Sequence, residues 1–229
     1  GEELPDVLAL VNPNLAGSEY PHGRLCGTGV AFKFAHGLLK KSSLSEAEGR
    51  AFLREQLDLV ALGTIADVVP LLGENRVLAR NGMEALMATR RPGLRALMEI
   101  AGVKNRGISA DIVGFGLGPR LNAAGRTDDA TLALKLLMAT DAAEGQQIAQ
   151  RLEQLNRERR EMEDETLQAS LLEAEILAGD SATNALVVGG IGWHLGVVGI
   201  VASRLTDRFD MPAIVLAIEN DVAKGSARS

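Results

Sequence analysis

Aromatic side chains are scarce, at 3% of the 229 residues, with one tryptophan, Trp193, and one tyrosine, Tyr20. An extended unpaired nucleic acid would therefore find few stacking platforms beyond these two and a handful of phenylalanines. A single cysteine, Cys26, excludes an internal disulfide framework and fits a reducing compartment, and its apolar neighbours make it a packing residue. No run is long and apolar enough for a membrane span. The greasiest stretch, Leu57 to Leu72, is interrupted by Asp58, Gly63, Asp67 and Pro70. No secretory signal is visible, and the chain reads as cytoplasmic. Positive charge is not in excess either: 24 Lys and Arg against 30 Asp and Glu leave a net charge of −6. A broad basic surface is thereby excluded, so any polyanion must be held by local arginines and metal. There is no internal repeat and no low-complexity tract.

What is present alternates helical and strand patterns, enough for one large or two small domains. Val7 to Val11 reads as a short strand ending at Asn12-Pro13-Asn14, and Thr28 to Lys41 as a helix burying Val30, Phe34 and Leu38. Ser45 with Glu48 has capping-box spacing and opens a helix running toward Asp67. Arg76 to Thr89, Pro92 to Ala101 and Asp128 to Thr140 carry apolar residues at three- and four-residue spacing, with Pro92 suited to a first turn. The Asp141 and Glu144 cap pattern opens one extended helix to Ala178. On it Ile148, Leu155, Met162, Ala169 and Ile176 recur every seven residues, a narrow stripe about 42 Å long. The charge cluster Arg157 to Glu165 reads as a solvated face laced by i to i+4 pairs, with a nucleic-acid contact through Arg157, Arg159 or Arg160 as the weaker reading. The fold class is α/β: a helix-rich part, a long connector helix, then a smaller α/β part.

Four segments carry candidate chemistry. Trp193 to Leu205, WHLGVVGIVASRL, follows the apolar run Ala185 to Val188 through a glycine-rich turn, so it reads as strand, loop and helix start. That arrangement aims backbone N–H groups at an anion, with Gly192, Gly196 and Gly199 allowing close approach and His194 within reach. The same glycines equally suit plain turn chemistry. Gly118 to Arg126, GPRLNAAGR, reads as a turn-rich loop broken by Pro119 and Gly125. It presents Arg120, Asn122 and Arg126, whose guanidinium and amide donors match phosphate oxygens. Lys224 to Ser229, KGSARS, places Ser226 and Arg228 after the apolar strand Ala213 to Ile218, as an anion pocket or a plain hairpin turn. Finally, Asp67 lies within an apolar run, where an ionised carboxylate needs a partner. It either binds a cation or caps a turn ahead of Pro70.

GTIADVVPL around Asp67, GPRLNAAGR, GWHLGVVGIVASRL and KGSARS, in that order, resemble the single-strand-specific exonuclease branch of the DHH phosphoesterase superfamily over nearly the whole chain. The opening LPDVLALVNPN and GRLCGTGVAFKFA is similar to the segment directly after the family's Asp-His-His motif. The resemblance implies a two-metal site using Mn2+ or Mg2+, in which Asp67 matches the fourth of four motifs and the other three would precede Gly1. It implies hydrolysis of single-stranded DNA from a 5′ end, in DNA repair and recombination, by a monomeric parent. Arg120, Asn122 and Arg126 would clamp a phosphate, His194 would close over it across an interdomain cleft as a catalytic group, and Ser226 and Arg228 would hold a phosphate further along. Residues 1–140 would then be the C-terminal part of a DHH domain, 141–178 the connector and 179–229 the start of a DHHA1 domain. The opening at Gly1 and a final strand leading nowhere are expected of an internal fragment, inactive alone. Ala227 departs from the family's GSGRS and would strain the turn if that position needs a positive φ. Two other classes stand beside this reading. A noncatalytic nucleic-acid-binding or scaffold module is one. A dinucleotide-binding oxidoreductase is the other, weakened by Leu195 where the third fingerprint glycine should fall.

Overall fold

The computed structural model describes residues 5–103, 107–127, 129–180 and 182–229. By contacts the chain divides into two compact units. One comprises residues 1–119 with 139–146, the other 120–138 with 147–229. These units group residues by packing and cut across the family-domain segments expected from sequence.

In the first unit α1 (Gly27–Leu39) and α2 (Glu46–Ala66) pack together. Ser45 and Glu48 close the expected capping box on α2, the hydroxyl accepting from the Glu48 N–H at 3.3 Å and the carboxylate from the Ser45 N–H at 2.8 Å. Helices α3 (Gly73–Met87) and α4 (Pro92–Ile100, proline in the first turn) follow. Val60, Leu78 and Leu25 form one buried cluster, with Val30 and Phe32 packed on it. The expected burial on α1 is corrected here: Val30 turns inward, whereas Phe34 and Leu38 are exposed. Val7 to Val11 makes no strand. Its residues are irregular, with a bend at Leu8, and exposed without a ladder partner among the described residues, and a lone strand would have nothing to satisfy its backbone except water. Buried Asp58 on α2 is fully engaged, accepting from Thr89 Oγ1 at 2.7 Å and from Arg91 Nε at 3.1 Å.

A π-helical turn, Ile112–Leu117, packs on the last turn of α2. A Cβ on Gly114 would lie 3.7 Å from Ile65 Cγ2, and one on Gly118 3.1 Å from Ala66 Cβ. It runs straight into α5 (Gly118–Thr127), so GPRLNAAGR is a helix and not the expected loop. Pro119 falls at the junction of the π-helical turn and α5, where it can donate no backbone hydrogen bond, and the helical run continues through it. Helix α6 (Thr131–Met138) is shorter than expected, and Asp128, its expected first residue, lies outside the described residues.

Helix α7 (Ala142–Ala178) is 37 residues long, and Asp141 Oδ1 caps it by accepting from Ala143 and Glu144 N–H groups at 2.9 and 3.0 Å. Its first turn belongs to the first unit, and the remainder to the second. The buried stripe runs through Ala149, Leu152, Asn156, Arg159, Glu163, Thr166, Ser170 and Ala174, while Ala169 and Ile176 of the expected stripe are exposed. The solvated-face reading is likewise corrected in part, since Arg159 is 8% and Glu163 3% exposed. Glu163 pairs with Arg159 one turn earlier and with Arg204 of α8 (Leu195–Phe209) at 2.5 Å. A partner on a distant helix made this charge buriable, and helical periodicity does not reveal such partners.

The sheet of the second unit orders β1 (Leu186–Ile191), β2 (Ala213–Glu219) and β3 (Val222–Arg228) side by side. β1 and β2 are parallel, joined through α8, and β2 and β3 form an antiparallel hairpin. The hairpin turn is Asn220-Asp221 with φ of +49° and +60°, the pair of left-handed residues of a type I′ turn. Leu186, Val188, Ala213 and Val215 bury against Val198, Val201, Ala202 and Leu205 of α8 and Ala174 of α7.

Candidate functional site

Around the start of α8 the structure gathers three of the four candidate segments. His194 is the N-cap, and its Nδ1 accepts from the Gly196 N–H at 3.0 Å, which places the proton of the neutral ring on Nε2. The strand-loop-helix expectation holds. The helix end is nevertheless not an open anion cradle, because one of its donors is already satisfied by the imidazole. Gly196 is also closely packed: a Cβ there would collide with the Arg126 carbonyl. Arg126 returns the contact, donating from Nη1 to the Gly196 carbonyl at 3.2 Å.

Helical phase separates the expected clamp. Asn122 and Arg126, four residues apart, lie within about 40° of each other on α5, whereas Arg120 is about 120° away from Arg126. Both Asn122 and Arg126 are exposed. Arg120 instead donates from Nε to Glu153 of α7 at 2.6 Å, with the two side chains 13% and 17% exposed. Three residues expected on one loop therefore divide into an exposed pair and one largely buried ion pair.

The third segment arrives on β3. KGSARS is strand, not turn, and Lys224, Ser226 and Arg228 alternate onto the face shared by buried Ala217, Val215 and Ala213 of β2. That face meets α8: a Cβ on Gly199 would lie 3.2 Å from Ser226 Oγ and 3.3 Å from Arg228 Nη2. Arg228 donates from Nη1 to Ser226 Oγ at 2.9 Å and to the Ala227 carbonyl at 2.7 Å. Gly196 and Gly199 are one helical turn apart, so the Arg126 and Arg228 contacts fall on adjacent turns of α8. Ala227 sits in the ladder opposite Ile214 and is not among the positive-φ residues, so the feared strain is absent. Lys224 was not among the sequence candidates. Its signal was the period-two spacing Lys, Ser, Arg, readable only once the segment is taken as strand.

Asp67 stands in the other unit and is corrected in its setting. It is not buried in the apolar run but exposed at the C-cap of α2, its N–H donating to Gly63 O at 3.0 Å. No side chain among the described residues pairs with its carboxylate. A carboxylate at a helix C-terminus meets the negative end of the helix dipole, a cost of about 0.3–1 kcal/mol that a bound cation would reverse. The next residue, Val68, holds φ at +55° and is 85% exposed. The left-handed conformation after a helix is ordinarily glycine's, and a β-branched residue there stores about 1–2 kcal/mol of strain. Asp67 fits a divalent ion as one ligand. Among the described residues no three His, Cys, Asp or Glu side chains cluster closely enough to hold an ion by themselves. Nor is any helix of the described residues long and apolar enough to cross a membrane.

No family model matches the chain. Individual relatives do, over its full length. It is 46% identical over 231 residues to the single-stranded-DNA-specific exonuclease RecJ of Bacillus subtilis and 41% identical over 238 residues to that of Escherichia coli. It spans 28% and 41% of those two proteins. Among solved structures, RecJ of Thermus thermophilus in complex with Mn2+ matches with a TM-score of 0.75 at 36% identity, covering 87% of this chain and 28% of that one. A RecJ exonuclease bound to manganese matches with a TM-score of 0.75 at 36% identity, covering 95% of this chain and 50% of that one. Sequence along the whole chain and fold in a helix-rich α/β arrangement agree, and the chain belongs to the RecJ family.

Proposed function

We propose that this chain contributes one metal-ligating carboxylate and a phosphate-holding surface to a metal-dependent exonuclease that hydrolyses single-stranded DNA from its 5′ end. The observation that carries the reading is the convergence of Arg126, His194, Ser226 and Arg228 on the first turns of α8. Donors of this kind, held on rigid elements, suit successive phosphates of one strand, and in a chain of net negative charge they concentrate the positive potential locally. Asn122 and Arg126 take the phosphate-holding role on α5, with Arg120 anchoring that helix through Glu153. Ser226 and Arg228 take a neighbouring phosphate, and His194 offers its Nε2–H to the strand. Asp67 takes the metal-ligating role in the parent enzyme, where a divalent ion supplies an activated water and offsets charge on the reacting phosphate. With one such carboxylate, the 229 residues alone act as a binding module and an extended polypeptide as the enzyme. The domain assignment of 1–140, 141–178 and 179–229 to DHH part, connector and DHHA1 part belongs to the same proposal, as does a monomeric, cytoplasmic parent.

The test is hydrolysis of 5′-phosphorylated single strands with Mn2+ by this chain and by a polypeptide extended upstream. Activity confined to the extended form, and lost in Asp67→Ala, is the expected result. Extended protein that binds the strand but never cleaves it would favour the noncatalytic module. That second reading draws on the absence of a metal-binding cluster among the described residues.

A further inference from the structure

A cavity of about 370 Å³ opens beside His194, between the start of α8 and the β2–β3 hairpin, lined by Trp193, Leu195, Ala217, Glu219, Val222 and Lys224 among others. Its position outside the carboxyl ends of the parallel strands β1 and β2 is where open α/β sheets place ligands, and its size lies in the range of small-molecule sites. The chain's one tryptophan forms part of its wall. The indole lies directly on Gly190 of β1, where any Cβ would collide with the ring, so the glycine is what lets a large flat side chain lie against the strand. Leu195, Ala217 and Val222 supply apolar wall, while Glu219 and Lys224 add an acceptor and donors at exposed positions. Along β3, Lys224 stands two residues, about 7 Å, from Ser226 and on the same face. A ligand in the cavity is therefore adjacent to the proposed phosphate track and continuous with it.

We propose that this cavity is a nucleobase subsite. It takes one unpaired base against the Trp193 indole, with Lys224 on the phosphate that joins that nucleotide to the one held by Ser226 and Arg228. The inference rests on the single-strand-binding reading above and adds to it where a base goes and which side chains receive it. A flat aromatic wall accepts any base, since every base offers a π face, whereas the phosphates alone would make binding indifferent to whether bases are present. This also resolves the scarcity of aromatics: one stacking platform suffices when a single nucleotide is gripped at a time.

Because Trp193 is the only tryptophan, indole emission of the intact chain reports this cavity alone. Two 5′-phosphorylated oligonucleotides of equal length, oligo(dT) and an abasic deoxyribose-phosphate strand, are titrated into the protein. Anisotropy of a dye on the strand measures binding, and indole emission is followed in the same samples. The expected result is binding of both, with indole emission quenched by oligo(dT) alone and the abasic strand bound about tenfold more weakly. Trp193→Leu should reduce oligo(dT) affinity to that of the abasic strand, with unchanged circular dichroism showing that the fold survives. Lys224→Gln should weaken both strands alike. Binding of both strands with equal affinity and no base-dependent quenching would overturn the subsite while leaving the DNA-binding reading intact. Failure of both strands to bind would overturn both readings.

Discussion

The C-terminal end of α2 and the N-terminal end of α8 are both places where a helix leaves backbone groups unpaired, and they are finished in opposite ways. At α8 a side chain of its own, His194, caps the end, a neighbouring helix packs against Gly196, and Arg126 bonds the Gly196 carbonyl. At α2 the end is left with an exposed carboxylate of the wrong sign for the dipole, followed by a valine in a left-handed conformation. The opposite end of the same helix makes the contrast sharper, since the Glu48 carboxylate there is satisfied twice over by Ser45. A chain that can finish a helix end well and does not do so at Asp67 has accepted local instability there. Such unfavourable arrangements persist chiefly where a ligand benefits from them.

Several substitutions would break or sharpen that contrast. The largest effect is expected at the well-finished end: Gly196→Ala should force α5 and α8 apart and cost about 1–3 kcal/mol, measured by urea unfolding. At the poorly finished end the sign should reverse, with Val68→Gly stabilising the protein by about 1 kcal/mol as the left-handed residue loses its Cβ. Removing the imidazole cap in His194→Ala should cost about 0.5–1 kcal/mol and weaken single-strand binding in the same fluorescence or anisotropy titration. The smallest effect concerns the pH dependence of α2. Hydrogen bonds from the Ser45 hydroxyl and then from its N–H hold the Glu48 carboxyl below its ordinary value. A depressed folded-state value means that the stabilisation is present above the ordinary carboxylate range and is lost as pH falls through the lower folded value. Thermal scans between neutral and strongly acidic pH should therefore show a shallower acid-side fall for Glu48→Gln than for the parent.

Much of this was legible in the sequence, for reasons that differ by element. The capping box at Ser45, the Asp141 cap, the proline opening α4 and the strand-loop-helix at His194 are local devices, written in a few adjacent residues and realised as read. The failures were non-local. GPRLNAAGR looked like a loop because its proline and glycines are breakers in isolation, yet a π-helical segment packed on α2 leads directly into it and the helical run continues through the proline. The buried face of α7 was misplaced because its central turns bury Asn156, Arg159 and Glu163, polar residues that an apolar pattern assigns to solvent. Val7 to Val11 has strand composition but no ladder partner among the described residues. Of the candidate site, three segments meet around the start of α8, but not in the expected grouping: Arg120 turns to Glu153, and Lys224 enters only because alternation along β3 puts it beside Ser226.

The central claim is that Asp67 serves a divalent ion and not the fold, and one substitution tests it in two readouts. Asp67→Asn keeps the shape of the side chain and removes its charge, so it should leave the melting temperature of this chain unchanged or raise it by about 1–3 °C. In the extended polypeptide the same change should abolish Mn2+-dependent hydrolysis of single-stranded DNA. A melting temperature lowered by several degrees, or hydrolysis that persists at the parental rate, would contradict it.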